Sequence, residues 1–155
     1  MENSLRATKR IRQCGIATIE FAIAVPVLLL LMLATAELGR AFYTYNTLTK
    51  SVRDGARYLS TVAKEGTGIV LTDQKADDTE NLVVYGQTTG GSQPLLPSLT
   101  TNQVDVTSPD AEHVQVTAAY PYAPIFASGI PTFGFGSGNI SVSFTMSASV
   151  TMRAL

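Results

Sequence analysis

The stretch from Ile16 to Ala36 reads IATIEFAIAVPVLLLLMLATA. Its 21 residues match the ~20 that a helix needs to cross the hydrocarbon of a bilayer. No other run in the chain is as long and as apolar. Two residues break its uniformity, Glu20 and Pro26. A carboxylate inside such a run is costly and marks a functional position by default. Proline lacks an amide hydrogen and crowds the carbonyl four residues back, here Ala22, so a kink is expected at Pro26. Neighbouring helices can satisfy the freed carbonyl inside a membrane.

The flanks orient this run. Arg6, Lys9, Arg10 and Arg12 precede it with a single acid, Glu2, and the remainder of the chain is acidic on balance. Basic residues stay on the cytoplasmic side, so the N-terminus is expected inside and the C-terminal part outside. The net charge of −1 gives no field that would attract nucleic acid. Residues 1–15 are short, basic and without apolar period, and read as a leader rather than as structure. The single cysteine, Cys14, lies in that leader. It has no partner for an intrachain bridge and no metal or redox spacing around it. A lipoprotein signal needs the cysteine after the apolar segment, and here the order is reversed.

The helical pattern continues beyond the apolar run. Leu38, Phe42, Tyr45, Leu48, Val52, Ala56, Leu59 and Ala63 follow one another at spacings of 4, 3, 3, 4, 4, 3 and 4, which is one face of a helix. Gly66 and Gly68 mark its end. A helix over Ile16–Lys64 is thus expected, apolar all round in its first half and amphipathic in its second.

Residues 65–103 are rich in Thr, Gly, Asp and Gln and read as loops. Leu82–Tyr85 is a candidate strand, and Thr88–Gly91 and Pro94–Pro97 are turns. Val104 and Val106 alternate with polar neighbours, as do Val114 and Val116 toward Tyr120, with Ser108-Pro109-Asp110 as a hairpin connection. The prolines of Tyr120-Pro-Tyr-Ala-Pro are expected to end that strand or hold it at an edge. From Ile140 to Met152 the alternation is strict: Ile140, Val142, Phe144, Met146, Ala148, Val150 and Met152 against Ser and Thr. Such a strand buries one face in an antiparallel sheet, and the amphipathic helix face is its natural cover. The fold class is therefore α+β, a long N-terminal helix packed on a small antiparallel sheet. Its segments are a leader over 1–15, a transmembrane helix over 16–37, its amphipathic continuation over 38–64 and a β-rich domain over 65–155.

Several of these residues form a pattern. Gly15 followed at five residues by Glu20-Phe21-Ala22, then Pro26 before Val27–Leu31, Glu37-Leu38-Gly39-Arg40 and Asp54-Gly55-Ala56-Arg57-Tyr58 resemble the TadE-like minor pseudopilins of the Tad (tight adherence) pilus system. Weaker similarity continues through Leu82–Gly86 and Thr151-Met152-Arg153. The resemblance implies a pilin-like fold and cleavage by a prepilin peptidase between Gly15 and Ile16. It implies that Glu20, with Phe21 beside it, aligns subunits by pairing with the new amino terminus of a neighbour. It further implies a single-pass protein of the bacterial inner membrane, its N-terminus cytoplasmic and its domain periplasmic or extracellular, that joins or primes a pilus. Its partners would be the peptidase, other minor pseudopilins, the major Tad pilin, the inner-membrane assembly platform and the lipid bilayer.

The residues have their own chemistry beside this likeness. A protease binds extended backbone, and glycine clears the side chain at the cut. Residues four apart share a helix face, so an amine at Ile16 and a carboxylate at Glu20 would lie together. Glu37 and Arg40 are three apart and can pair, or can simply mark the outer edge of the span. Gly55 permits close backbone approach or is merely tolerated, and Arg57 follows it as a further interface candidate. Asp73, Asp77, Asp78 and Glu80 read as a solvated loop, since the calcium-loop spacing is absent. His113, the one histidine, has no catalytic partners in view. The apolar stretch Tyr120–Phe135 reads as a core-lining loop. No enzyme, cofactor or metal is indicated. Two other readings remain. Ala34-Thr35-Ala36 is a small-residue site at which a signal peptidase would release a soluble periplasmic binding domain, or the chain is an uncleaved single-pass protein.

Overall fold

The computed structural model describes residues 2–125 and 143–155. Its elements are helix α1 (Glu2–Val62), strands β1 (Lys64–Glu65) and β2 (Gly68–Ile69), helix α2 (Asp73–Tyr85), and strands β3 (Val104–Thr107), β4 (His113–Tyr122) and β5 (Phe144–Arg153). A single 3-10 turn at Thr101–Gln103 leads into β3. The described residues form two compact units, one of 2–38 with 124–125, the other of Gly39–Ala123 with Ser143–Leu155.

Helix α1 departs from expectation at both ends. It begins at Glu2, so the basic leader is helical. Residues 2–14 hold no proline or glycine, and Leu5, Ala7, Lys9 and Arg10 are good helix formers. It ends at Val62, and Lys64 belongs to β1. Gly66, at a φ of 64°, supplies the left-handed turn of the small β1–β2 hairpin. The helix runs through Pro26 without interruption.

In the second unit, β3, β4 and β5 form an antiparallel sheet with β4 in the centre. Along β4 the side chains of Val114, Val116, Ala118, Tyr120 and Tyr122 are buried in strict alternation, the period of a sheet with one covered face. On β5, Met146 and Ala148 join them, with Val150 and Met152 half-buried. The other face is polar, and Gln115, Thr117 and Ser149 hydrogen-bond across it at 2.9–3.0 Å. The proline stretch ends β4 at Tyr122, two residues later than expected. Pro121 pairs with Thr145 of β5, while β3 reaches only as far as Ala118. The proline thus occupies a locally one-sided stretch, where the donor it lacks is tolerated. Of the expected final strand, Ile140–Val142 lie outside the described residues, as does most of Tyr120–Phe135.

The cover is α1, with Leu48, Val52, Ala56 and Leu59 fully buried, followed by Ala63 just past its end. Burying each of the leucines contributes roughly 1.5–3 kcal/mol. Leu38, Phe42 and Tyr45, expected on the same face, are exposed instead. Helix α2 is the larger correction. The segment read as loop is a helix, and Leu82–Tyr85 is its last turn rather than a strand. Thr72 caps it, its side chain accepting from the Lys75 amide. Gly86, at a φ of 76°, closes it by donating to the Leu82 carbonyl at 2.9 Å, the left-handed cap that glycine adopts freely. The turns after Gly86 lead back to the core through Leu96 and Leu99, and the Leu95 amide donates to the Val84 carbonyl at 2.7 Å.

Candidate functional site

In the first unit, the helix from Gly15 onward is long and apolar enough to cross a membrane, and none of its most apolar window is buried among the described residues. Ile16, Ile19, Phe21, Ile23, Leu28, Leu31 and Met32 are all more than half exposed. A patch of that extent is not stable in water and requires lipid or protein around it. Glu20 is exposed on the same surface. It lines a shallow groove with Ile23, Ala24, Val27 and Leu28, so the carboxylate sits at the rim of an otherwise apolar helix face. Gly15 lies within the helix, and the space a side chain would take there is open.

The residues just past the span turn inward. The Glu37 side chain is buried, and its carboxylate accepts the Ile125 amide at 3.3 and 3.4 Å. In the second unit, the Arg40 guanidinium donates to the Ala123 carbonyl. It also lies over the Tyr122 ring, 4.9 Å from its centre, a cation–π arrangement. Tyr122 in turn stacks at a tilt on Phe144, the first residue of β5, at 5.3 Å. Each of these charges thus holds backbone at or just beyond the end of β4. The sequence places them at an edge; the tertiary contact 80 residues and more away is invisible to it.

The Asp54–Tyr58 segment lies against α2. Gly55 is buried, and a Cβ there would stand 2.5 Å from Val83 Cγ2 and 3.5 Å from Thr79 Cγ2. The glycine therefore lets α2 approach α1 within this chain. Tyr58 donates to Asp78 at 3.2 Å. Its phenol is held above its usual range, first by burial and then by the negative charge of Asp78. Asp54 and Arg57 are exposed.

Asp73, Asp77, Asp78 and Glu80 are helical rather than in a loop. Glu80 is pushed upward by burial and by the charges of Asp77 and Asp105. Among the described residues no group of metal-ligating side chains converges. His113 begins β4, and its Nδ1 lies 2.9 Å from both oxygens of Asp110. Asp110 also accepts the Glu112 and His113 amides at 2.8 and 2.7 Å, so the pair secures the β3–β4 turn.

Residues 15–57 match the family model described as TadE-like protein. No curated protein and no solved structure matches the chain.

Proposed function

We propose that this chain, TadE-like across residues 15–57, is a minor pseudopilin that takes part in assembling a Tad-type adhesive pilus. The observation that carries the reading is the conjunction of that match with a helix long and apolar enough to cross a membrane, none of whose most apolar window is buried. Residues 1–15 act as the cytoplasmic leader, a prepilin peptidase cuts between Gly15 and Ile16, and 16–37 remain as the membrane span. The outer domain then supplies contacts to other pseudopilins, the major pilin and the assembly platform.

Cleavage needs extended backbone, whereas Gly15 stands inside a helix. The peptidase must unwind that turn, and glycine weakens a helix by roughly 0.5–1 kcal/mol relative to alanine. The cut creates an ammonium at Ile16, one helical turn from Glu20. In a low-dielectric layer, an amine from one copy and Glu20 from its neighbour would fix the axial stagger of the two helices. Removing one member would leave the other charge unpaired, a loss of roughly 3–5 kcal/mol for a buried pair.

The test is the mass and N-terminal sequence of the membrane-bound protein from its native cell. A chain that begins at Ile16 is expected, and Gly15→Leu is expected to block the cut by filling the cleared position. Glu20→Ala is expected to leave processing intact and reduce pilus yield. A soluble chain that begins at Glu37 would overturn the reading in favour of a released periplasmic domain. An intact N-terminus would leave an anchored protein outside the pilin pathway.

A further inference from the structure

The first turns of α1 in the second unit carry aromatic side chains that nothing in the unit covers. Phe42 is 60% exposed, Tyr43 71% and Tyr45 45%. The spacing of Phe42 and Tyr45 reads as core, but ahead of Leu48 the core face of the helix is made by Ala41 and Thr44 instead. At the same end of the unit, Arg40 reaches Tyr122, and Tyr122 stacks on Phe144, which is itself 52% exposed. The opposite end, where the Leu155 amide meets the Ser60 carbonyl, is charged, with Arg153 bound to Glu112 at 3.1 Å and Lys75 to Glu65 at 2.5 Å. The unit is therefore polar at one end and ringed by aromatic side chains at the other.

We infer that Phe42, Tyr43, Tyr45 and Phe144 form a collar that sits in the headgroup layer of the bilayer. The inference rests on the reading that the Ile16–Ala36 run crosses that bilayer. Phe42 follows Ala36 by six residues, about 9 Å along a helix axis. Helix side chains lean toward the N-terminus, so the rings reach back toward the span. The interfacial layer beyond the hydrocarbon is roughly 5–8 Å deep on each side. Tyrosine favours that layer, where it keeps its ring in an apolar setting and its hydroxyl in water, and Phe42 and Phe144 extend the apolar area beside Tyr43 and Tyr45. The surface is continuous in sequence with the span, which favours lipid as its occupant.

The chain has no tryptophan, so a single introduced one reports its own surroundings. The full-length protein is reconstituted in vesicles of phosphatidylethanolamine and phosphatidylglycerol as Leu29→Trp, Phe42→Trp or Thr61→Trp. Phe42→Trp is expected to emit to the blue of Thr61→Trp and to be quenched most by lipids brominated near the glycerol end of the chain. Thr61→Trp is expected to respond to aqueous iodide alone. If Phe42→Trp is as open to iodide as Thr61→Trp while Leu29→Trp is quenched by deeply brominated lipid, the collar is wrong and the span stands. If Leu29→Trp is quenched by no brominated lipid, the span itself fails and the collar with it. Protection of Phe42→Trp from both iodide and bromine would assign this surface to protein contact and overturn the lipid assignment.

Discussion

At Gly55 a single missing carbon decides whether two helices can meet. The nearest atom to a Cβ there is Val83 Cγ2, at 2.5 Å, on a short branched side chain that is fully buried and has few rotamers to yield into. Gly55→Ala is expected to destabilise the second unit by about 1–3 kcal/mol, the usual cost of overpacking a core, read as a shift in the denaturation midpoint. On a Val83→Ala background the same substitution should cost clearly less, because the colliding methyl is gone; equal costs on both backgrounds would show that the contact is not the cause. The glycine was visible in the sequence, but its partners were not: Thr79 and Val83 lie about 25 positions on, in stretches that read as loop and as strand. Glu37 and Arg40 tell the same story, since charges at the edge of an apolar run look ordinary until the Ile125 amide is brought to one and the Ala123 carbonyl to the other.

The elements that were legible are those with a single clean period. β4 alternates as written, and so does β5 from Met146 onward, because a sheet covered on one face imposes period two on every side chain. Helix α1 was also legible, and so was its buried face from Leu48 to Leu59; ahead of Leu48 the buried residue is Thr44 rather than Phe42 or Tyr45. Ser51, Ser60 and Thr79 are buried by returning their hydroxyls to carbonyls in their own helices, at 2.7–2.9 Å. A polar residue satisfied in this way can face the core, so counting apolar residues alone turns the predicted face toward Phe42 and Tyr45. α2 was hidden by Val83, Val84 and Tyr85, whose strand preference yields to tertiary burial. The signals that would have found it are the caps, Thr72 and Gly86.

Two pH effects belong to this scale. Glu80 has a raised folded-state value, so its favourable contribution is present below the ordinary carboxylate range and is lost as pH rises through the raised value. Glu80→Gln is therefore expected to raise the melting temperature at neutral pH and to lose that advantage in acid. Asp110 is lowered, chiefly by the amide of Glu112 and then by the His113 side chain. Its contribution holds above the unfolded value and is lost as pH falls through the folded one. Faster amide exchange at Glu112 and His113 in acid, relative to residues in the centre of β4 and after correction for intrinsic rates, is the expected sign. Unchanged relative protection would remove Asp110 from the turn's support.

For the whole molecule, the uncovered apolar run predicts that the protein stays with membranes through alkaline carbonate and is released by detergent. Replacing Leu29 by arginine at the middle of the run should cost about 2.5–3.5 kcal/mol of insertion and lower the membrane-bound fraction. Full release by carbonate alone would contradict a span.

The end of the chain adds a mechanical consequence. β5 starts beside the Arg40 end of α1 and finishes where the Leu155 amide is tied to Ser60. It therefore runs in the same direction as the helix and is held along ten paired residues of β4. If the unit is anchored through α1 and pulled at its C-terminus, the load falls along the β4–β5 ladder rather than across it. All of those pairs must then yield together in shear, instead of opening one at a time like a zip. A domain strung this way resists tension applied along β5 better than tension applied across it.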